Sequence, residues 1–295
     1  MDYTIKNSIL QVVISSKGAE IQSVKSQHTD YEYIWQANPS VWQRHAPILF
    51  PFVGRLKDDQ YTYQGKTYHM SQHGFARDLD FAVEHQDGES ITFLLTDSEE
   101  TKKSYPFEFE LRVNYNLLNN LLEENFTVTN KTDGELIFAI GGHPGFNIPT
   151  SEATSKEDFY FSTKPSLARV QIPLKGAFLD WPNRSLASTN SLITLSDHLF
   201  KHDALIFQLR GHDNRVSLKT DTSNFHVNVW LRDAPFVGVW SQYPQTADFV
   251  CIEPWWGIAD RIDSKGKLEE KYGMNHLAPG NTFSAGFSMA FHDQD

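Results

Sequence analysis

Apolar and polar residues alternate with a period of two through most of this chain. The cleanest run is Phe107-Glu108-Phe109-Glu110-Leu111-Arg112-Val113-Asn114-Tyr115-Asn116-Leu117, in which the alternation never breaks. That period puts every second side chain on one face of a sheet, and a helix could not exploit it. Asn119-Asn120 turns this run into a second over 121–129, and Asp133-Gly134 turns that into a third over 135–142. Residue 143 is therefore expected to end the third strand of a meander. Earlier strands are expected over 10–15 and 19–24. Hairpins are expected over 61–68, turning at Gln64-Gly65, and from 81–84 through Asp87-Gly88 to 91–95. Later strands follow at 225–231, 236–240, 249–252 and 282–291, the last with Phe283, Ala285, Phe287, Met289 and Phe291 on one face. Helical candidates are few and short: 98–104, opened by Ser98 and stopped before Pro106, and a turn or two at 196–201. Residues 149–173 form the loopiest stretch. No βαβ rhythm, repeat or charged linker interrupts the pattern. The predicted fold is all-β, with two large antiparallel sheets packed face to face over residues 1–295 as one domain.

Composition agrees and narrows the partners. The 295 residues are 40% hydrophobic and 13% aromatic, ample for a large core. The net charge is −11 and no basic tract appears, which argues against a nucleic-acid partner. An anionic small substrate would need a local arginine cluster. The only cysteine, Cys251, excludes an intramolecular disulfide and a zinc site built from several cysteines. It lies in the apolar run 249–252 and reads as a small buried hydrophobe. The first residues lack the basic-then-apolar pattern of a signal peptide, and no apolar run approaches the ~20 residues that span a bilayer. A cytoplasmic protein without a membrane partner is the expectation.

Four polar clusters sit near strand ends or in loops. They are Phe50-Pro51-Phe52-Val53-Gly54-Arg55, Gln72-His73-Gly74-Phe75-Ala76-Arg77, Gly141-Gly142-His143-Pro144-Gly145-Phe146 and Ile252-Glu253-Pro254-Trp255-Trp256-Gly257. In the third, glycines free the backbone and proline fixes it, so one imidazole is held in a set direction; a plain tight turn is the alternative. In the fourth, a carboxylate leaves an apolar strand beside two tryptophans, where burial is costly unless the charge is paired or used. Tryptophan faces suit the C–H faces of sugars. Arg55 alone reads as a surface ion pair or a substrate clamp. Two histidines and a carboxylate could also make a metal triad, although no His-x-His or His-Glu-x-x-His spacing occurs. No Gly-x-Ser-x-Gly elbow marks a serine hydrolase.

Gly54-Arg55, His73-Gly74-Phe75-Ala76-Arg77, Gly142-His143-Pro144-Gly145-Phe146 and Glu253-Pro254-Trp255, in that order, resemble the aldose 1-epimerase (galactose mutarotase-like) family, and within it the LacX-type branch. The resemblance spans nearly the whole chain and implies a β-supersandwich. It implies an isomerase that interconverts α and β anomers, with Glu253 as general base, His143 as general acid and no metal or organic cofactor. Side chains with reference pKa near 4.3 and 6.5 are expected to be charged for those tasks near neutral pH. By the same resemblance Arg55, His73 and Trp255 contact the sugar, and Asp203 is the hydroxyl-binding aspartate, with Asp197 or Asp180 as alternatives. Arg77 resembles an arginine with which hexose-6-phosphate mutarotases grip phosphate; a surface pairing with Asp78 or Asp80 is the other reading. His143 stands in Gly-His-Pro-Gly-Phe instead of the Asn/Thr-rich histidine motif of the galactose mutarotases proper, so the sugar is left open. The implied partner is a small sugar or sugar phosphate, bound by a monomer or homodimer. A non-catalytic sugar-binding or sensing domain on the same fold is the alternative function.

Overall fold

The computed structural model describes residues 1–211, 214–244 and 247–293. Its strands assemble into a nine-stranded and an eight-stranded antiparallel sheet, with a three-stranded sheet at the N-terminus. The long alternating runs build the nine-stranded sheet. Phe109–Leu118 and Leu121–Asn130 pair along their whole length, and Thr282–His292 pairs with the second of them. Both hairpins form. Gln60–Tyr63 and Lys66–His69 are joined through Gln64 and Gly65, both at positive φ (48° and 76°), the backbone of a type I′ turn. Ala82–Gln86 and Ser90–Thr96 are joined by a turn in which Asp87 Oδ1 accepts from the amides of Glu89 and Ser90. The helix Glu99–Ser104 starts on a capping box between Ser98 and Thr101. Residues 197–200 form a 3-10 turn.

The meander does not continue as expected. Beyond Asp133-Gly134 the chain leaves the nine-stranded sheet, and the third run is cut at Ala139 into Leu136–Phe138 and Ile140–Gly142. The first piece pairs with Asn275–Leu277; the second joins the eight-stranded sheet between Ile48–Leu49 and Phe249–Trp256. Strand length and turn chemistry do not reveal which sheet a strand joins, and here the neighbour in sequence is not the neighbour in space. The stretch 149–173 is also more ordered than its composition indicated. It carries Phe159–Lys164 in the nine-stranded sheet and Arg169–Ile172 in the eight-stranded sheet.

The main core fills the space between the sheets. Phe287, Met289 and Phe291 from one side meet Ile140, Val250, Ile252 and Trp256 from the other. A smaller apolar cluster, with Ile206, Phe236, Trp255 and Ile258, covers the outer face of the eight-stranded sheet. Among the described residues no helix is long and apolar enough to cross a membrane.

Candidate active site

Strand Phe249–Trp256 divides its side chains between these two clusters. Trp256 points inward, edge-on to Phe126, and its indole N–H donates to Asp233 at 3.2 Å. Cys251, Glu253 and Trp255 project from the outer face by the two-residue period. Glu253 does not leave a strand end, as its flanking residues suggested; the strand runs on to Trp256. Trp255 lies flat over the neighbouring strands because those strands carry glycine beneath it. A methyl on Gly238 would sit 2.5 Å from the indole, and one on Gly141 would sit 2.8 Å from it. Above this floor opens a pocket of about 500 Å³ lined by Arg55, His73, Arg77, His143, Asp203, Glu253 and Trp255, with Trp42, Trp240 and others. All seven residues singled out in the sequence thus face one space.

His143 stands between two short strands, Ile140–Gly142 and Gly145–Asn147, that both pair with Phe249–Trp256. The flanking glycines act differently from expectation. Neither Gly142 nor Gly145 takes a left-handed φ; they are needed for space. A methyl on Gly142 would lie 2.6 Å from the buried Phe287 ring, and one on Gly145 would lie 2.8 Å from Trp42. The imidazole is fixed from three sides. Trp42 stacks on it at 5.0 Å, while Trp240 and His73 present their rings nearly perpendicular at 5.8 and 5.6 Å. Its Nε2 lies 3.1 Å from Glu253 Oε2. The buried Nδ1 has only the carbonyl of its own residue to face.

Burial decides the protonation of this pair. His143 is 7% exposed and Glu253 1%. Removal from water, and then the Asp203 carboxylate, push the Glu253 carboxyl well above its ordinary value. Burial, with a smaller contribution from Arg77, pulls His143 down to about 3. Both shifts favour the uncharged forms, a neutral pair in place of the ionised pair expected from reference values. A single proton shift along the 3.1 Å contact converts one form into the other.

His73 is locked by a reciprocal exchange with Gly54: its amide donates to the Gly54 carbonyl at 2.9 Å, and the Gly54 amide donates to its Nδ1 at 3.1 Å. Because Nδ1 accepts, the neutral ring carries its proton on Nε2. Burial first, then His143 and Arg77, hold its pKa well below the ordinary value. Asp203, at φ 74°, accepts from the Trp240 side chain, and burial raises its pKa. Asp197 instead pairs with Lys156 at 3.0 Å, and Asp180 accepts from Asn183; neither lines the pocket. Arg55 pairs with Asp59 at 3.0 Å and its side chain is 44% exposed, the surface-pair geometry. Arg77 differs. Its Nη2 donates to the Gln72 carbonyl at 2.6 Å, its Nε is buried without a hydrogen-bond partner, and Asp78 is 3.9 Å away and engaged by Arg44 at 2.6 Å.

Trp42 and Trp240 were not legible as site residues. Trp240 ends a short, continuously apolar strand, and Trp42 sits in a segment without periodicity. Trp42 is placed by a turn in which its amide donates to the Asn38 carbonyl at 2.9 Å, and by stacking on Phe249. The only hint was an isolated tryptophan in polar surroundings.

The sequence profile described as Aldose 1-epimerase matches residues 1–272. The plasmid-borne protein LacX of Lactococcus lactis subsp. lactis is 30% identical over 98% of this chain and 99% of its own length. Among solved structures, a galactose mutarotase related enzyme from Lactobacillus acidophilus is 69% identical, with a TM-score of 0.99 over 100% of this chain and 98% of that one. A galactose mutarotase-like protein from Lactobacillus casei ATCC 334 is 31% identical, with a TM-score of 0.91 over 99% of this chain and 100% of that one.

Proposed function

The chain belongs to the aldose 1-epimerase family of isomerases, and on that premise we propose that it interconverts the α and β anomers of a hexose or hexose phosphate, with Glu253 and His143 moving the protons. The proposal covers residues 1–295 as one galactose mutarotase-like domain. Ring opening needs a proton taken from the C1 hydroxyl and one given to the ring oxygen. Both oxygens are bonded to C1, so a base and an acid in contact with each other can reach them together. In the ionised form of the pair, Glu253 takes the O1 proton as the C1–O5 bond breaks and C1=O1 forms, and His143 Nε2 protonates O5. Rotation about the C1–C2 bond and the reverse transfers close the ring on the other face. His73 Nε2–H and Asp203 are assigned to sugar hydroxyls, Trp255 to the floor, and Arg55 and Arg77 to the far end of the sugar.

The observation that carries this reading is the 3.1 Å His143–Glu253 contact at the head of a sugar-sized pocket. Each positioned proton-transfer group contributes roughly 10²–10⁴-fold. His143→Ala and Glu253→Gln are expected to lose that factor while melting cooperatively. Saturation-transfer NMR over a panel of aldoses and their 6-phosphates measures it. Wild-type exchange rates in either folded variant would sink the assignment. A wild-type protein that binds aldoses without accelerating any anomer exchange would instead be the sugar-binding domain.

A further inference from the structure

The proton-transfer pair leaves one neighbouring group unused. Cys251 precedes Glu253 by two residues on the same strand, so its thiol projects from the same face, in register with Gly145 on one side and Trp240 on the other. It is fully buried. A ligand nitrogen of His143, the sulfur of Cys251 and a carboxylate oxygen of Glu253 all lie within 4.8 Å of one another. We propose that these three side chains form a binding site for a thiophilic divalent cation such as Zn²⁺, and that the cation switches catalysis off by occupying both proton-transfer atoms.

The spacing fits. Two ligands held at about 2.0 Å in a tetrahedral sphere stand about 3.3 Å apart, and Nε2 and Oε2 already stand at 3.1 Å. With a 2.3 Å Zn–S bond the sulfur would stand about 3.5 Å from the other two ligand atoms, so from within 4.8 Å it has to approach by at most about 1.3 Å. The charge also fits. Binding releases the thiol proton and the Glu253 carboxyl proton to solvent, while neutral His143 supplies a lone pair. Two anionic donors then balance the dication, which lowers the cost of placing charge in a buried site. A nitrogen, sulfur and oxygen donor set favours Zn²⁺ or Co²⁺ over Mg²⁺ or Ca²⁺. His143 and Glu253 line the pocket, which gives the cation its way in. The cation site rests on these three residues alone; its inhibitory effect rests also on the proton-transfer roles proposed above.

Titration of the purified protein with Co²⁺ tests binding. The expected result is a thiolate-to-cobalt charge-transfer band saturating at one ion per chain and absent in both Cys251→Val and Cys251→Ser, with both variants checked for cooperative melting. Mutarotation is then followed against Zn²⁺. The inhibition constant, referred to each variant's own uninhibited rate, should rise at least about tenfold in Cys251→Val, since losing even a supporting group around a metal costs about 10–100-fold in affinity, and chelator should restore the wild-type rate. A wild-type protein without the band at millimolar Co²⁺ overturns the site. A saturating band with undiminished mutarotation at saturating Zn²⁺ confirms the site and overturns the inhibition, together with the roles given to His143 and Glu253.

Discussion

Replacing Gly142 by alanine tests whether the turn before His143 is built for space. The added methyl would meet two ring carbons of Phe287 at 2.6 Å, against the 3.5–4.0 Å of an unstrained carbon contact, an overlap of about 1 Å. Phe287 is fully buried and packs against Phe126, so it has no free direction in which to turn. Overpacking of this kind costs about 1–3 kcal/mol. At roughly 2.1 cal/mol/K of unfolding entropy per residue, a chain of this length loses about 2–5 °C in Tm. If the strand yields instead of the ring, His143 moves by a comparable distance, and a 1 Å misplacement costs on the order of 10²-fold in rate. Calorimetry and anomer-exchange kinetics read the two routes separately. Phe287→Leu removes the offending ring carbons, so the double variant should recover most of what Gly142→Ala loses, giving a favourable coupling energy. Wild-type Tm and kcat in Gly142→Ala, or additive losses in the double variant, would refute the reasoning.

Three further outcomes follow from the site. Arg77→Ala should raise KM for hexose 6-phosphates more than for the free hexoses, because its Nε is buried and unpaired; equal effects would remove Arg77 from phosphate binding. His73→Ala should raise KM about tenfold, the worth of one lost hydrogen bond of about 1.4 kcal/mol, with Tm checked because the Gly54 contact is also lost. Glu124 is buried and its Oε1 has no partner, and burial raises its pKa well above the ordinary carboxyl value. A raised carboxyl contributes stability that is present below the unfolded value near 4.5 and is lost as pH rises. The Tm difference between Glu124→Gln and wild type should therefore become more positive from pH 5 to pH 8, and a flat difference in a thermal-shift series would disprove it.

Most of the strands were legible because alternation is local. The run 109–118 and both hairpins follow from side-chain period and turn residues, and Phe236–Trp240 reads as a short apolar run. Sheet membership was not, because the crossing at Ala139 is decided by pairing with strands far along the chain. Six of the seven candidate residues were picked out by their motifs and Asp203 by a looser family match, and all seven line one pocket. What the motifs could not show was protonation, since the neutral Glu253–His143 pair is a product of burial that only packing reveals. Nor could they show the aromatic wall of Trp42 and Trp240, which carry no motif.

His143 and Glu253 meet because Gly141 is paired with Trp255 and Gly145 with Cys251. The two side chains are thus brought together by a ladder of backbone hydrogen bonds and hardly at all by the path of the chain between them. The site should survive rerouting of that path: a circular permutant opened between Ser151 and Thr154, with the old termini joined, keeps every rung. Deleting Ile252, between Cys251 and Glu253, keeps the path but turns the carboxylate to the opposite face, into the main core. A change of connectivity should therefore be tolerated where a change of parity along this one strand should not.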